Sequence, residues 1–339
     1  MSLSLNSSRQ PSHSPMRGSS RTYENPIAPV DGVHPVLHEG RVAVITGAGS
    51  GIGRAAAVEL AKIGMKIAIA DVNESGLQET AQEVAAIIGQ GNVLAVPTDV
   101  SNFDSVVAFR EKVYEAFGEV AVLMNNAGIG LKGTSWEGLE NWHKVFDVNV
   151  FGCVLSSGRE AFQPNPLLSI VNVQHAFLPT MVPQENPAMI INTGSKQGIT
   201  NPPGNAAYNA SKAAVKSLTE GLAHELRNLP QPNITAHLFV LTPASPGWTY
   251  TGMTKGNSTE KPAGAWTAQE TVLYMLDRVR EGQFYILVPD NETRREVDQL
   301  RIMWAAGDVA EGRPALSRWH KDYKALFEEY IRDSLAQLD

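Results

Sequence analysis

Tyr208 and Lys212 stand four residues apart in Tyr208-Asn209-Ala210-Ser211-Lys212, and Ser195 lies thirteen residues before the tyrosine. On a helix, residues four apart share one face, so the ammonium of Lys212 would lie beside the phenol of Tyr208. A neighbouring cation favours the phenolate and draws the tyrosine pKa down from about 10 toward a value useful for proton transfer at neutral pH. Ser195 ends an apolar stretch, 189–195, that reads as a strand, and can bring a hydroxyl to the same point. An amphipathic helix with an exposed Tyr and Lys would show the same spacing, so the surrounding elements must decide.

One such element is Thr46-Gly47-Ala48-Gly49-Ser50-Gly51-Ile52-Gly53. It follows an apolar strand (41–45), opens an Ala-rich helix, and is followed by a second strand (66–70) that ends in Asp71. Glycines in such a turn let the backbone approach a pyrophosphate, and the helix N-terminus turns its partial positive charge toward it. An acid at the end of the second strand can accept hydrogen bonds from the two ribose hydroxyls of an adenosine.

Together these residues resemble the short-chain dehydrogenase/reductase family, over roughly 40–290. The glycine spacing is that family's own, as is Asn125-Asn126-Ala127-Gly128 after the strand 120–124. The resemblance implies a cofactor site built from Gly47, Ser50, Gly51, Ile52, Gly53, Asp71, Asn126 and Gly128, with Asp99 and Val100 at the adenine. It implies a catalytic set of Asn149, Ser195, Tyr208 and Lys212, the last two also touching the cofactor. Pro246-Gly247 and the following Thr249 and Thr251 resemble the family's late nicotinamide-contacting loop, although 241–245 lengthens the approach and shifts the register of both threonines.

Strands and helices alternate along the chain. Helices are predicted over 74–88, 102–117, 135–152, 205–229 and 267–281, and strands to 96, over 120–124, 234–240 and 284–288. Such alternation predicts a Rossmann-type doubly wound parallel sheet, an α/β fold, with ligands beyond the carboxyl ends of the strands. The 339 residues and 43% hydrophobic content suit one large domain with extensions. A net charge of −7 argues against a nucleic-acid partner, and no apolar run approaches membrane-spanning length. The single Cys153 excludes an internal disulfide and suits a reducing compartment, so a cytoplasmic protein is expected. His143, His175 and His224 lack metal-ligand spacing, and no metal site is expected.

Three segments lie outside this pattern. Residues 1–39, rich in Ser, Pro and Arg, read as a disordered tail; Arg9, Arg17 and Arg21 ahead of the first acid, Glu24, leave a mitochondrial presequence as the alternative. Residues 291–339 read as a helical extension broken near Gly312-Arg313-Pro314. The segment 153–170 carries Gly158, Pro164 and Pro166, which no regular helix holds, while 171–179 reads as the second half of the helix bearing Asn149. Joining Gly152 to Val171 restores one helix, which marks 153–170 as an insertion: a translated intron or a genuine surface loop.

The resemblance implies hydride transfer between a secondary alcohol or ketone and NAD. Tyr208 would exchange the hydroxyl proton, Ser195 would hold the substrate oxygen, Lys212 would lower the tyrosine pKa, and Asn149 would hold a water linking Lys212 to solvent. Asp71 repels a 2′-phosphate, so NAD is expected over NADP, with Arg54 as the competing influence. Trp136, Trp248, Tyr250, Met253 and Trp266 are candidates for an apolar substrate wall. A homodimer or homotetramer is expected, built on the helices bearing Asn149 and Tyr208. An NAD-binding scaffold or sensor without turnover, or a lyase or epimerase on the same fold, stays open at this stage.

Overall fold

The chain is described by a computed structural model over residues 34–131, 133–150, 170–241, 249–250, 265–289 and 293–338. The first strand, β1 (Val42–Thr46), is buried along its whole length, as an apolar run covered on both faces requires. The glycine turn then feeds α1 (Gly51–Lys62), β2 (Lys66–Asp71), α2 (Glu74–Ile88) and β3 (Val93–Pro97). Next come α3 (Phe103–Phe117), β4 (Val122–Asn125), α4 (Leu139–Asn149), α5 (Ile170–Met181) and β5 (Ala188–Ser195). The short α6 (Gln197–Thr200) leads into the long α7 (Ala206–Arg227) and β6 (Ile234–Leu241). A minor pair, β7 (Thr249–Tyr250) and β8 (Trp266–Thr267), precedes α8 (Ala268–Arg280) and β9 (Tyr285–Leu287). The chain ends in α9 (Arg295–Ala310) and α10 (Lys324–Ala336).

Seven strands form one sheet in the order β3-β2-β1-β4-β5-β6-β9, and every pairing is parallel. The order reverses between β1 and β4, which opens a crevice at the carboxyl end of β1 beside the glycine turn. One apolar cluster, with Leu60, Ile67, Leu77 and Val279, fills the face covered by α1, α2 and α8. A second, with Phe109, Val113, Phe177 and Leu226, fills the face covered by α3, α5 and α7. Side chains cap the helices: Asn73 and Asn102 accept backbone N–H groups of α2 and α3, and Thr267 with Glu270 forms a capping box on α8.

The structure corrects several boundaries. Val36 and Leu37 are buried in the first cluster, so ordered packing begins before residue 40. The helix expected over 135–152 starts only at Leu139. Thr134 captures the turn instead: its hydroxyl accepts from Glu137 N at 3.1 Å, and its carbonyl accepts from Trp142 Nε1 at 3.0 Å. Ile170, counted with the inserted stretch, is the buried first residue of α5. The remainder of that stretch, 153–169, lies outside the described residues, as do Cys153, Trp248, Met253, Thr251 and the approach 242–248. Val150, after α4, and Ile170 belong to one buried cluster with Val215, Leu238 and Val240. The C-terminal extension is helical on both sides of Gly312 and carries a small core of its own, in which Trp304 packs on Phe327 and Tyr330.

Candidate active site

The glycine turn is shaped by close backbone approaches. Gly47 has φ +66, and a Cβ there would lie 2.7 Å from the Cα of Ala127. A Cβ on Gly53 would lie 2.2 Å from the carbonyl oxygen of Gly47. Only glycine fits either position, and the turn presents bare backbone at the start of α1, where Ser50, Gly51 and Ile52 form its cap and first residues. The loop after β4 locks onto this turn: Asn126 Nδ2 donates to the carbonyls of Thr46 and Gly47, both at 3.2 Å. Thr46 Oγ1 accepts the backbone N–H of Asn126 (3.1 Å) and of Ala127 (3.2 Å). Thr46, which opens the glycine motif, is a supporting residue whose role the motif alone does not assign.

Asp71 closes the far side of the crevice. Its two carboxylate oxygens accept separately from Gly49 N and Asn73 N, each at 2.8 Å, and the group is half-buried. Arg54 turns away from this point, with Nη1 3.0 Å from Glu79 and Nε 2.9 Å from Glu83. Asp99 is exposed, and its carboxylate accepts from Ser101 N at 2.9 Å. Val100 is buried, and its carbonyl accepts from Asn172 Nδ2 at 3.0 Å. Bare glycine backbone, a helix N-terminus and an acid at the end of β2 fit a dinucleotide: the turn and α1 would hold the pyrophosphate, and Asp71 the adenosine ribose.

The second group converges beyond β4 and β5. Ser195, the last residue of β5, lies beside Tyr208 on the first turns of α7, near enough for its hydroxyl to act on the phenol's pKa. Lys212 lies one turn further along the same face, its Nζ 5.8 Å from the centre of the Tyr208 ring and 2.8 Å from the carbonyl of Thr193. Asn149, at the end of α4, is fully buried. Its Oδ1 accepts from Ile129 N at 2.9 Å, and its Nδ2 donates to Ile129 O (3.0 Å) and Ser211 Oγ (3.1 Å). A Cβ on Gly128 would lie 3.2 Å from Asn149 Oδ1 and 3.7 Å from Lys212 Nζ, so Gly128 joins the same pocket. The structure thus gathers Asn149, Ser195, Tyr208, Lys212 and Gly128 in one place, and the glycine turn, Asn126 and Asp71 in a second place beside it. Thr249 lies in β7, paired with Trp266.

One electrostatic expectation is overturned. Lys212 does not draw the Tyr208 pKa down. Burial pushes the phenol up to about 12, with the Ser195 hydroxyl pulling in the opposite direction. Burial also lowers Lys212, to about 8. The ammonium donates to Thr193 O, and burial favours the neutral form of both groups. At neutral pH Tyr208 is therefore a proton donor in place, suited to protonating a developing alkoxide.

Among the described residues, no cluster of His, Cys, Asp and Glu could hold a metal ion, and no helix is long and apolar enough to cross a membrane.

The short chain dehydrogenase family matches residues 41–163 and 159–262, two stretches that meet inside the inserted segment. A short chain dehydrogenase/reductase from Burkholderia phymatum, solved in complex with NAD, superposes with a TM-score of 0.68 at 31% identity, covering 82% of this chain and 97% of that one. The 1-deoxy-11-beta-hydroxypentalenate dehydrogenase of Streptomyces arenae is 29% identical over 286 residues, 82% of this chain and 93% of its own length. A Mycobacterium tuberculosis protein named as the oxidoreductase SadH is 36% identical over 189 residues, which cover 56% of this chain and 61% of that protein. The parallel sheet, the glycine turn beside Asp71 and the matched residues agree: this chain belongs to the short-chain dehydrogenase family of oxidoreductases, which work with a nicotinamide cofactor.

Proposed function

We propose that the protein is an NAD-dependent oxidoreductase that interconverts a secondary alcohol and a ketone, with Tyr208 as the general acid and base. The observation that carries this reading is the convergence of Ser195, at the end of β5, on Tyr208, with Lys212 on the same face of α7. Two hydroxyls at one point can bind one substrate oxygen: Ser195 holds it as its charge changes, and Tyr208 moves the proton. A bound nicotinamide would accept or give the hydride. In reduction, Tyr208 donates its proton to the oxygen as charge develops there. In oxidation the steps reverse, and the ionised Tyr208 takes the proton back. Asn149 orders the Ile129 backbone and Ser211 around Lys212, and so fixes the lysine's surroundings.

Asp71 supports NAD over NADP, because its carboxylate stands where a 2′-phosphate would bring like charge. The engagement of Arg54 by Glu79 and Glu83 strengthens this, since the cation that could receive that phosphate is held elsewhere. Association as a homodimer or homotetramer through α4, α5 and α7, and work in the cytoplasm, complete the reading. The substrate wall is read as apolar, with Trp136, which is 82% exposed in the loop after Gly128, as its outer member.

The test is a panel of secondary alcohols and ketones with NAD and NADH. Stoichiometric NADH formation with an alcohol supports the dehydrogenase. Tight NADH binding with no turnover across the panel would instead indicate a sensor or scaffold.

A further inference from the structure

The Ser195 segment is tied to the C-terminal helices by a buried ion pair. Lys196, the next residue, is 8% exposed, and its ammonium is bonded to Oδ2 of Asp298, itself 5% exposed in the first turn of α9. The other oxygen, Oδ1, accepts from Arg301 Nη1 at 3.1 Å, so both sides of the carboxylate are engaged. The backbone of Lys196 is equally fixed: its N–H donates to Leu241 O at 2.9 Å, and its carbonyl accepts from Ile199 N (3.0 Å) and Thr200 N (2.9 Å), which starts α6. Ser195 Oγ accepts from Gln197 N at 3.1 Å. Two residues beyond Lys196, a Cβ on Gly198 would lie 2.3 Å from the carbonyl carbon of Lys212, so α6 rests directly on the backbone of α7. The residue clamped by α9 therefore lies between the partner of Tyr208 and the turn that abuts Lys212.

We propose that Asp298, acting through Lys196, is a positioning residue for Ser195, which makes the C-terminal helices part of the active site. The inference rests on the reading of Ser195 and Tyr208 as the hydroxyls that bind the reacting oxygen. Two charges held out of water keep one geometry: removing Asp298 takes the carboxylate from a buried ammonium and releases the segment that carries it, while removing Lys196 unties that segment and leaves Asp298 with Arg301. That segment includes Ser195. A hydroxyl displaced by about 1 Å from its productive place costs on the order of 100-fold in rate.

The experiment compares full-length chains carrying Asp298→Asn, Lys196→Met and the pair Lys196→Met/Asp298→Leu with the unmodified chain and with Tyr208→Phe. Turnover is followed by NAD reduction with the fastest member of a panel of aliphatic, cyclic and aromatic secondary alcohols, alongside NADH affinity and melting temperature. Each single variant should lose roughly 10- to 100-fold in kcat, while KM and NADH Kd change by less than about 3-fold. The pair should lose less than the product of the singles, because both substitutions release the same contact. A folded Asp298→Asn chain with near-normal kcat overturns the proposal, as does a kcat that falls only with the folded fraction.

Should Asp298→Asn fail to fold, Asp298→Glu moves the charge by one methylene. A lowered kcat at unchanged NADH Kd then supports the proposal, and an unchanged kcat overturns it. Should no alcohol turn over, a crystal structure of Asp298→Asn decides: Ser195 displaced from Tyr208 supports the proposal, and Ser195 in place overturns it. Full turnover by Tyr208→Phe would strike the functional reading itself. An inactive Tyr208→Phe beside a fully active Asp298→Asn would strike only this inference.

Discussion

Replacing Asp71 by alanine should narrow the discrimination between NADH and NADPH. The carboxylate is held by two backbone donors, Gly49 N and Asn73 N, each at 2.8 Å, so its charge is fixed at the end of β2. A 2′-phosphate charge brought within about 4 Å would be repelled by ~1 kcal/mol under full water screening and ~4 kcal/mol at an effective dielectric of about 20. A half-buried group falls between these limits, at roughly 2–3 kcal/mol, which is a ratio of about 30- to 150-fold in affinity. Arg54 cannot offset this without leaving Glu79 and Glu83. Asp71→Ala should therefore bring the two dissociation constants within about 10-fold of each other. It also orphans two N–H groups, at a cost of about 1–3 kcal/mol in the loop, so a lower melting temperature is expected. Asp71→Asn keeps an acceptor without the charge, and should narrow the ratio with a smaller loss of stability. The assay is fluorescence titration with each reduced cofactor at fixed ionic strength. Equal or tighter binding of NADPH by the unmodified chain would refute the reasoning, as would an Asp71→Ala ratio unchanged from the parent.

Three further outcomes are expected. Gly53→Ala puts a methyl 2.2 Å from the Gly47 carbonyl, so the turn must open; NADH affinity should fall by more than about 10-fold, as seen by titration, and wild-type affinity would contradict the cradle. Lys212 has its folded pKa lowered to about 8 from 10.5, so between these values the unfolded chain binds more protons, and this group's effect on stability becomes more favourable as pH rises. Chemical denaturation at pH 7.5 and 9.5 should show the unmodified chain gaining on Lys212→Met with rising pH; the opposite trend would remove the buried-ammonium account. Deleting 153–169 should raise the melting temperature and favour a dimer or tetramer by size-exclusion mass, because Val150 and Ile170 already pack in one cluster; loss of oligomer and activity would make the segment a functional loop.

Local chemistry was the legible part of this chain. The strands are apolar runs that alternate with helical stretches, and both signals arise from neighbouring residues. The glycine turn was legible because only glycine tolerates its backbone approaches. The late start of α4 was hidden, since the competing turn depends on one Thr134 hydroxyl. The ion pair between Lys196 and Asp298 joins residues 102 positions apart, and no spacing rule announces a contact of that range. The electrostatics of Tyr208 misled for a related reason: spacing places Lys212 one turn away, but burial, which only the packed fold supplies, is the largest influence on both groups.

The central claim is that Tyr208 moves the proton. Tyr208→Phe removes one hydroxyl from a packed helix, so fold, melting temperature and NADH affinity should stay close to those of the parent. Single-turnover hydride transfer, measured by NADH absorbance with the best ketone of the panel, should fall by roughly 10²- to 10⁴-fold, the span expected when a general acid is lost. A Tyr208→Phe chain that transfers hydride at near-parental rate, with its cofactor bound normally, would contradict the account.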